Sequence, residues 1–240
     1  MKLNNFKVFV DFDGTITQQD VGEEIFRKFG NTITTDVIVA KLLAGEITAR
    51  KCWDLLFESI LTIDKDELNC FLDQIKVDPT FLEFHNYCKA NEIELFILSD
   101  GFDYYINRIL KNENIHEIKV FANNLIINNN NQFVPSYPYF DVDCQTSANC
   151  KRNHILNNSH DDDFTVYIGD GNSDKYSTEF CDFIFAKDEL LKYCEKERIT
   201  FFPFNNFLDV IARLESFKSK KRLKKRHQAE LKRKEIYLQE

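Results

Sequence analysis

The chain has 240 residues, a formal net charge of −8 and 43% hydrophobic residues, with 23 Phe but only 7 Gly and 4 Pro. This composition excludes a wholly disordered chain and predicts helices and strands joined by short loops, as one domain or a core with a small insertion. The opening MKLNNFKVFV lacks a long apolar leader, and no run approaches the roughly 18 apolar residues of a membrane span. We therefore expect a cytoplasmic protein without a membrane segment, in which the seven cysteines are reduced.

Apolar runs alternate with segments of helical period, which predicts an α/β fold with a doubly wound, mostly parallel, Rossmann-like sheet. Runs that are apolar on both faces fit strands covered by helices on each side. NNLIINNNNQFV predicts a hairpin. Strands are expected at residues 7–13, 93–100, 164–171 and 183–186, with an edge strand at 200–204.

Residues 20–76 have helical periodicity with no strand signal, so we interpret them as an insertion between the first two strands. Trp53 and Phe57 have helical spacing there and suit either a substrate pocket or the core of the insertion itself. The chain then divides into a Rossmann-like catalytic core at 1–16 and 78–217, a helical cap at 17–77 and a basic C-terminal tail at 218–240.

The tail carries ten Lys/Arg and three Glu, a local charge of +7, which leaves −15 on the other 217 residues. An acidic body is a poor general binder of nucleic acid, so the tail is the one segment suited to an anionic partner. We expect it to be a polar helix or frayed chain. Oligomeric state has no signal in the sequence.

Polar residues end three of the predicted strands: Asp11 and Asp13 in VFVDFDGT, Ser99 and Asp100 in ILSDG, and Asp170 in GDGNSD. Ligands bind at the carboxyl ends of strands in doubly wound sheets, so we expect these residues to form one site. Two aspartates separated by one residue repel each other, and a bound cation offsets that repulsion.

The residue types suit phosphoryl transfer. Asp11 suits a nucleophile, and Mg²⁺ bridging Asp11, Asp170 and a substrate phosphate would screen the repulsion between anions. Asp13 suits proton transfer to the leaving oxygen and later from water. The Ser99 hydroxyl and the Lys151 ammonium suit the binding of phosphate oxygens.

DFDGT, ILSDG, a lone Lys151 and GDGNSD resemble, in order and spacing, the four motifs of the haloacid dehalogenase superfamily of phosphatases. The resemblance implies that Asp11 is the nucleophile and Asp13 the acid/base. It also implies that Asp11, the Asp13 backbone carbonyl and Asp170 bind Mg²⁺, and that Asp174 orients Lys151 or a metal-bound water. The helical insertion looks like the cap of the phosphoserine-phosphatase-like branch.

Five residues are predicted to bind substrate: Ser99, Asp100, Gly101, Lys151 and Asp20. We expect the Asp100 carboxylate to point away from the phosphate, because a further anion there would repel it. Asp20 stands where phosphoserine phosphatases carry a cap glutamate. Their cap arginine, which pairs with the substrate carboxylate, has no match in register here, although Arg50 lies nearby.

Cys144 and Cys150 precede Lys151 in a loop that is similar to that of methionine-salvage phosphatases, which act on an enol phosphate, and of phosphoethanolamine/phosphocholine phosphatases. Packed thiols are the favoured interpretation of this pair over a zinc site. We predict a Mg²⁺-dependent phosphatase of a small phosphorylated metabolite, first the methionine-salvage enol phosphate. Phosphoserine, phosphoethanolamine and phosphocholine remain alternative substrates. A phosphotransferase and a scaffold with an anion-binding tail remain alternative functions.

Overall fold

The computed structural model describes residues 5–144 and 147–237. Within these residues, seven strands form one sheet: β1 (Phe6–Val10), β2 (Glu94–Phe102), β3 (Lys119–Ile127), β4 (Phe133–Ser136), β5 (Phe164–Gly169), β6 (Phe183–Ala186) and β7 (Phe202–Pro203). Their order is β4-β3-β2-β1-β5-β6-β7, and every neighbouring pair is parallel except β3 with β4. The sheet confirms the predicted fold class, and the antiparallel pair is the predicted hairpin.

β1 lies at the centre of the sheet, and all of its residues except Lys7 are apolar and buried. Phe6, Val8 and Val10 contribute to one core layer and Phe9 to the opposite layer, and all four are fully buried. Burial on both faces explains why the apolar run continues without alternation until Asp11.

Four helices follow β1: α1 (Val21–Phe29), α2 (Thr32–Leu43), α3 (Ala49–Glu58) and α4 (Lys65–Leu72). Each is preceded by a side chain that accepts a hydrogen bond from a backbone N–H of the first turn: Asp20, Asn31, Thr48 and Asp64. The two ends of the insertion lie side by side, since the Gln18 N–H donates to the Lys76 carbonyl at 2.9 Å and the Asp78 N–H donates to the Ile16 carbonyl at 2.8 Å. This closure supports the cap boundaries that we propose at residues 17 and 77.

The remaining core helices cover both faces of the sheet. Those packed on the Val8 face are α5 (Phe81–Ala90), α6 (Asp103–Asn112) and α10 (Phe207–Lys218). Those on the Phe9 face are α7 (Lys151–Asn157), α8 (Lys175–Phe180) and α9 (Asp188–Lys196). Within residues 5–144 and 147–237, no helix is both long and apolar enough to span a membrane.

The basic tail ends in α11 (His227–Tyr237), which packs against α8. Arg233 on this helix is only 7% exposed, and it donates hydrogen bonds to the Asp182 carboxylate at 3.1 Å and to the Phe180 carbonyl. The polar-helix alternative therefore fits residues 227–237, and part of the predicted charge run is buried. Residues 238–240 lie outside the described part of the tail.

Candidate active site

The carboxyl ends of β1, β2 and β5 are neighbours in the sheet. Asp11 follows β1 directly, Ser99 and Asp100 lie near the end of β2, and Asp170 follows β5. The Asp11 N–H donates to the Ile168 carbonyl at 2.9 Å, which joins the two segments that bear Asp11 and Asp170. Strand topology thus brings the polar ends of three distant segments to one place, as the sequence predicts.

Lys151 begins α7, and its side chain is buried among carboxylates. Nζ lies 2.6 Å from Oδ1 of Asp11, 2.7 Å from Oδ1 of Asp174 and 3.1 Å from Oγ of Ser173. Burial alone would lower the pKa of Lys151, but Asp11 and Asp174 hold it well above its usual value. The buried ammonium is therefore charged and lies against the predicted nucleophile.

Asp174 is fully buried and accepts four hydrogen bonds. Oδ1 accepts from Lys151 and, at 2.5 Å, from the Tyr167 hydroxyl, whereas Oδ2 accepts from the N–H groups of Asp170 at 3.0 Å and Gly171 at 2.9 Å. These contacts hold both the lysine and the loop that carries Asp170. They support the orienting role that the family resemblance implies for Asp174.

Carboxylate oxygens of Asp11, Asp170 and Asp174 lie within 4.8 Å of one another. Burial and the neighbouring Asp174 raise the pKa of Asp11 well above its usual value, although Lys151 opposes the shift, and the same two causes raise the pKa of Asp170 to about 6. One ammonium among three clustered carboxylates leaves negative charge without compensation. Since hard divalent cations bind oxygen donors, the residues present fit such an ion. The Asp13 carbonyl as a further ligand stays a prediction.

The Asp13 carboxylate has a different set of partners. Oδ2 accepts hydrogen bonds from the Ser99 and Tyr105 hydroxyls, each at 3.0 Å, and Oδ1 accepts from the Val21 N–H at 3.1 Å. Burial and, secondarily, repulsion from Asp20 raise the pKa of Asp13 to about 7, although these hydrogen bonds oppose the rise. A carboxyl group with this pKa exchanges a proton readily near neutral pH.

Tyr105 is a site residue that the sequence motifs do not reveal. Its hydroxyl lies 1.6 Å from the position that a Cβ on residue 101 would take, and Asp13 Oδ2 lies 2.8 Å from that position. Gly101 therefore has no room for a side chain, and its N–H donates to the Ser99 hydroxyl at 2.9 Å. The one sequence signal that could have indicated Tyr105 is its position, one helical turn after ILSDG.

The Asp100 carboxylate is engaged by protein groups. Oδ1 accepts hydrogen bonds from the Ser147 hydroxyl at 2.7 Å, the Ala148 N–H at 2.6 Å and the Asn149 N–H at 2.9 Å. Oδ2 accepts from Nε1 of Trp53 at 3.3 Å. The substrate-binding role of Asp100 stays a prediction, and these contacts do not require a substrate.

A cavity of about 520 Å³ opens between the strand ends and the helical insertion. Asp11, Asp13, Asp100 and Asp170 line it from the sheet. The apolar residues that line it from the insertion are Phe26, Val39, Leu42, Leu43, Ala49, Trp53 and Leu56. Its further acidic lining residues include Asp20, Glu23 and Asp188, and no Lys or Arg of the described residues lines it.

Of the residues predicted near the substrate, some line the cavity and others lie away from it. Asp20 lines the cavity and caps α1 by accepting from the Glu23 N–H at 2.8 Å, while its substrate-binding role stays a prediction. Trp53 lines the same cavity, but Phe57 packs in the apolar core at 4.9 Å from the Phe102 ring. Arg50 lies outside the cavity lining, with its guanidinium over aromatic rings of Tyr137 and Phe140.

The two cysteines before Lys151 are both buried, and neither forms a disulfide within the described part of the chain. A hydrogen bond from the Cys144 thiol lowers the pKa of Cys150 to about 7, although burial opposes the shift. Among the described residues, neither cysteine belongs to a group of three or more side chains able to hold a metal ion. This arrangement favours packed thiols over a zinc site.

Two relatives are similar in sequence to this chain over most of its length. It is 33% identical to the 2-hydroxy-3-keto-5-methylthiopentenyl-1-phosphate phosphatase of Bacillus mycoides (strain KBAB4) over 214 residues, which is 88% of this chain and 96% of the relative. It is 29% identical to Pdp3-interacting factor 1 of Schizosaccharomyces pombe, over 85% of this chain and 92% of the relative.

The fold also matches a solved structure of a phospho-aspartyl intermediate analogue of phosphoserine phosphatase. The TM-score is 0.67 at 19% identity, over 86% of this chain and 96% of that chain. Residues 8–176 match the model of the haloacid dehalogenase-like hydrolase family. The chain therefore belongs to the haloacid dehalogenase-like hydrolases, and it is a phosphatase of that family.

Proposed function

We propose that the protein hydrolyses a small phosphate monoester with Mg²⁺, through a phosphoryl group held transiently on Asp11. The observation that carries the proposal is the buried contact between Asp11 and Lys151, beside clustered Asp170 and Asp174 at the base of a cavity. The nucleophile, a fixed cation and a divalent-ion site then act on one phosphorus atom.

In the first step an oxygen of Asp11 attacks phosphorus, and the bond between phosphorus and the ester oxygen breaks. Asp13, which has a pKa of about 7, gives its proton to the departing oxygen. In the second step Asp13 takes a proton from water, the water oxygen attacks phosphorus, and the bond to Asp11 breaks. Free phosphate and the starting form of the enzyme result.

Mg²⁺ held by Asp11, Asp170 and the predicted Asp13 carbonyl would neutralise phosphate charge during both steps, while Asp174 holds Lys151 in place. Lys151 supplies a second, permanent positive charge at Asp11. The Ser99 hydroxyl donates to Asp13 at 3.0 Å, and while Asp13 carries its proton this weaker acceptor lets the hydroxyl turn to phosphate oxygens.

The cavity wall supports a substrate with an apolar or neutral organic part. Its insertion side carries seven apolar residues, and no described Lys or Arg is present to pair with a substrate carboxylate. We propose the methionine-salvage enol phosphate as substrate, in accord with the name of the Bacillus mycoides relative. Asp20, Glu23 and Asp188 make phosphoethanolamine or phosphocholine the second candidate, because acidic side chains attract a cationic group.

A substrate panel tests this proposal. Phosphate release with Mg²⁺ is measured for the enol phosphate, phosphoserine, phosphoethanolamine and phosphocholine, and we expect kcat/KM for the enol phosphate to exceed that for phosphoserine by at least about tenfold. A preference for phosphoserine would overturn the substrate, and no release from any ester by folded protein would overturn the function. An added alcohol should leave free phosphate as the main product.

The covalent step has its own test. Asp11→Asn should abolish turnover, whereas Asp54→Asn, which changes a cap carboxylate bonded to the Tyr137 hydroxyl, should not. Asp13→Asn should react with p-nitrophenyl phosphate, whose leaving group needs no proton, and retain the phosphoryl group. Intact-protein mass spectrometry after acid quench should show one added phosphoryl group on the Asp13→Asn protein. The group should be absent when Asp11→Asn is combined with Asp13→Asn.

A further inference from the structure

Asp100 connects three parts of the molecule through its side chain: the end of β2, the cap helix α3 and the segment that leads to Lys151. We infer that Asp100 is a positioning residue that holds Trp53 and residues 147–149 against the end of β2, and that it does not bind substrate. The kinetic part of this inference rests on the proposed phosphatase function.

On the core side, Asp100 fixes the backbone just before Lys151. Its Oδ1 accepts from the N–H groups of Ala148 and Asn149 within 2.9 Å. Asn149 continues the attachment, because its Nδ2 donates to the Ser99 carbonyl at 2.7 Å. Two residues later Lys151 reaches Asp11, so the position of the ammonium depends on this attachment.

On the cap side, Asp100 accepts a hydrogen bond from Nε1 of Trp53 at 3.3 Å. The Trp53 ring packs edge-on against Phe102, with ring centroids 5.2 Å apart. On its other side the Trp53 ring packs closely against α1, because a Cβ on Gly22 would lie 2.7 Å from Cη2 of Trp53. Trp53 is thus wedged between α1 and β2, and its polar contact with Asp100 sets the cap against the strand end.

The Asp100 carboxylate has little capacity left for a substrate. Three donors converge on Oδ1, and Trp53 approaches Oδ2. A substrate cation would have to displace the indole N–H, and it would gain a carboxylate whose other oxygen is already occupied. A positioning role accounts for all of these contacts of the Asp100 carboxylate.

Two substitutions break the cap side of this connection, one from each end. Asp100→Asn keeps a carbonyl oxygen for the three donors on Oδ1 but turns an NH₂ group toward the indole N–H. Trp53→Phe keeps an aromatic cavity wall and removes the N–H. We expect each variant to lower kcat about tenfold with KM changed less than about twofold, for both p-nitrophenyl phosphate and phosphoethanolamine. The double variant should be no slower than the slower single variant, since both break one link.

A second readout does not require activity. Trp53 is the single tryptophan of the chain, so tryptophan emission reports the surroundings of this one indole, which include the Asp100 carboxylate. Asp100→Asn should shift the emission to longer wavelength and increase quenching by acrylamide, and the matched control Asp54→Asn, one residue beyond Trp53, should do neither. The inference is overturned if emission and quenching are unchanged in Asp100→Asn, or if that variant raises KM for phosphoethanolamine alone. If the wild type hydrolyses no phosphate ester, the proposed function fails while the fluorescence result still decides the Asp100–Trp53 link.

Discussion

The Lys151 ammonium lies 2.6 Å from Oδ1 of Asp11, and Lys151 is only 2% exposed. Removing one member of a buried ion pair leaves the other charge without compensation, which costs about 3–5 kcal/mol. Here two carboxylates, those of Asp11 and Asp174, would lose the same cation. The Lys151–Asp11 contact should therefore affect both Mg²⁺ binding and the stability of the folded protein.

Lys151→Met should lower phosphatase activity by at least about 100-fold, because the transferring phosphoryl group loses a fixed positive charge. The same variant should show a larger rise in melting temperature on addition of Mg²⁺ than the wild type, because a divalent ion then replaces the positive charge that the carboxylates have lost. Thermal unfolding with and without Mg²⁺ measures this difference. Arg152→Met, which removes the neighbouring half-buried ion pair with Asp141, is the matched control. Equal Mg²⁺ shifts in Lys151→Met and the wild type would contradict the prediction.

A cation placed in the apolar cavity wall should change substrate selectivity. Leu43 lines the cavity and is 68% exposed, so Leu43→Arg can be accommodated without overpacking the core. We expect kcat/KM for phosphoserine relative to the enol phosphate to rise about five- to tenfold, because a guanidinium can pair with the serine carboxylate. Steady-state kinetics on both esters provide the ratio.

Val37 is the control position for this change. It lies on the same helix, is 51% exposed and does not line the cavity. Val37→Arg adds the same charge to the cap at a distance from the substrate, so its selectivity should equal that of the wild type. A similar ratio change in both arginine variants would attribute the effect to the overall charge of the cap and count against the apolar-wall interpretation.

The parts of the site that follow strands were predictable from the sequence. Asp11, Ser99 and Asp170 end apolar runs, and the carboxyl ends of parallel strands converge whatever the loops do. Lys151 needed a different signal, because its place in the site depends on α7 and not on a strand. The order and spacing of the four motifs supplied that signal.

The parts that depend on side-chain packing between distant elements were not predictable. Tyr105 reaches Asp13 only because Gly101 leaves the space open, and Trp53 meets Asp100 only once the cap has docked. The basic tail is another example, because a run of charges usually indicates a solvated segment, yet Arg233 is buried. No local pattern distinguishes that arginine from its neighbours before the fold places Asp182 beneath it.

His154 should make the folded state sensitive to mild acid. The ring is buried on the Phe121 ring with centroids 4.2 Å apart, and its Nε2 lies 2.6 Å from Oδ1 of Asn149. Burial lowers the pKa of His154 from 6.5 to about 4. The unfolded chain therefore binds the proton more tightly than the folded protein does, so the contribution is complete above pH 6.5 and is lost as the pH falls toward 4.

The free energy of unfolding should consequently fall by roughly 2 kcal/mol between pH 7 and pH 5 on account of this group. Urea unfolding at several pH values measures the dependence in the wild type and in His154→Gln, which removes the titrating ring. The variant should have a smaller slope over this range. His116→Gln, at an exposed histidine, should keep the wild-type slope, and identical slopes in all three proteins would contradict the assignment.

The last prediction concerns the basic tail. Arg233 Nη2 lies 3.1 Å from Oδ1 of the buried Asp182, whose Oδ2 accepts from both the N–H and the hydroxyl of Thr165 at 3.0 Å. Arg233→Met removes the cation and should lower the free energy of unfolding by about 3–5 kcal/mol, because the Asp182 charge stays buried. Urea denaturation measures the loss.

Lys234→Met removes one positive charge from the next residue of α11, which is exposed, and should change the free energy of unfolding by less than about 0.5 kcal/mol. Asp182→Asn combined with Arg233→Met should recover part of the stability lost by Arg233→Met alone, because the uncompensated charge is then absent. If Arg233→Met costs no more than Lys234→Met, α11 does not dock on the core in solution. The tail would then be the free, solvated segment that its charge pattern also allows.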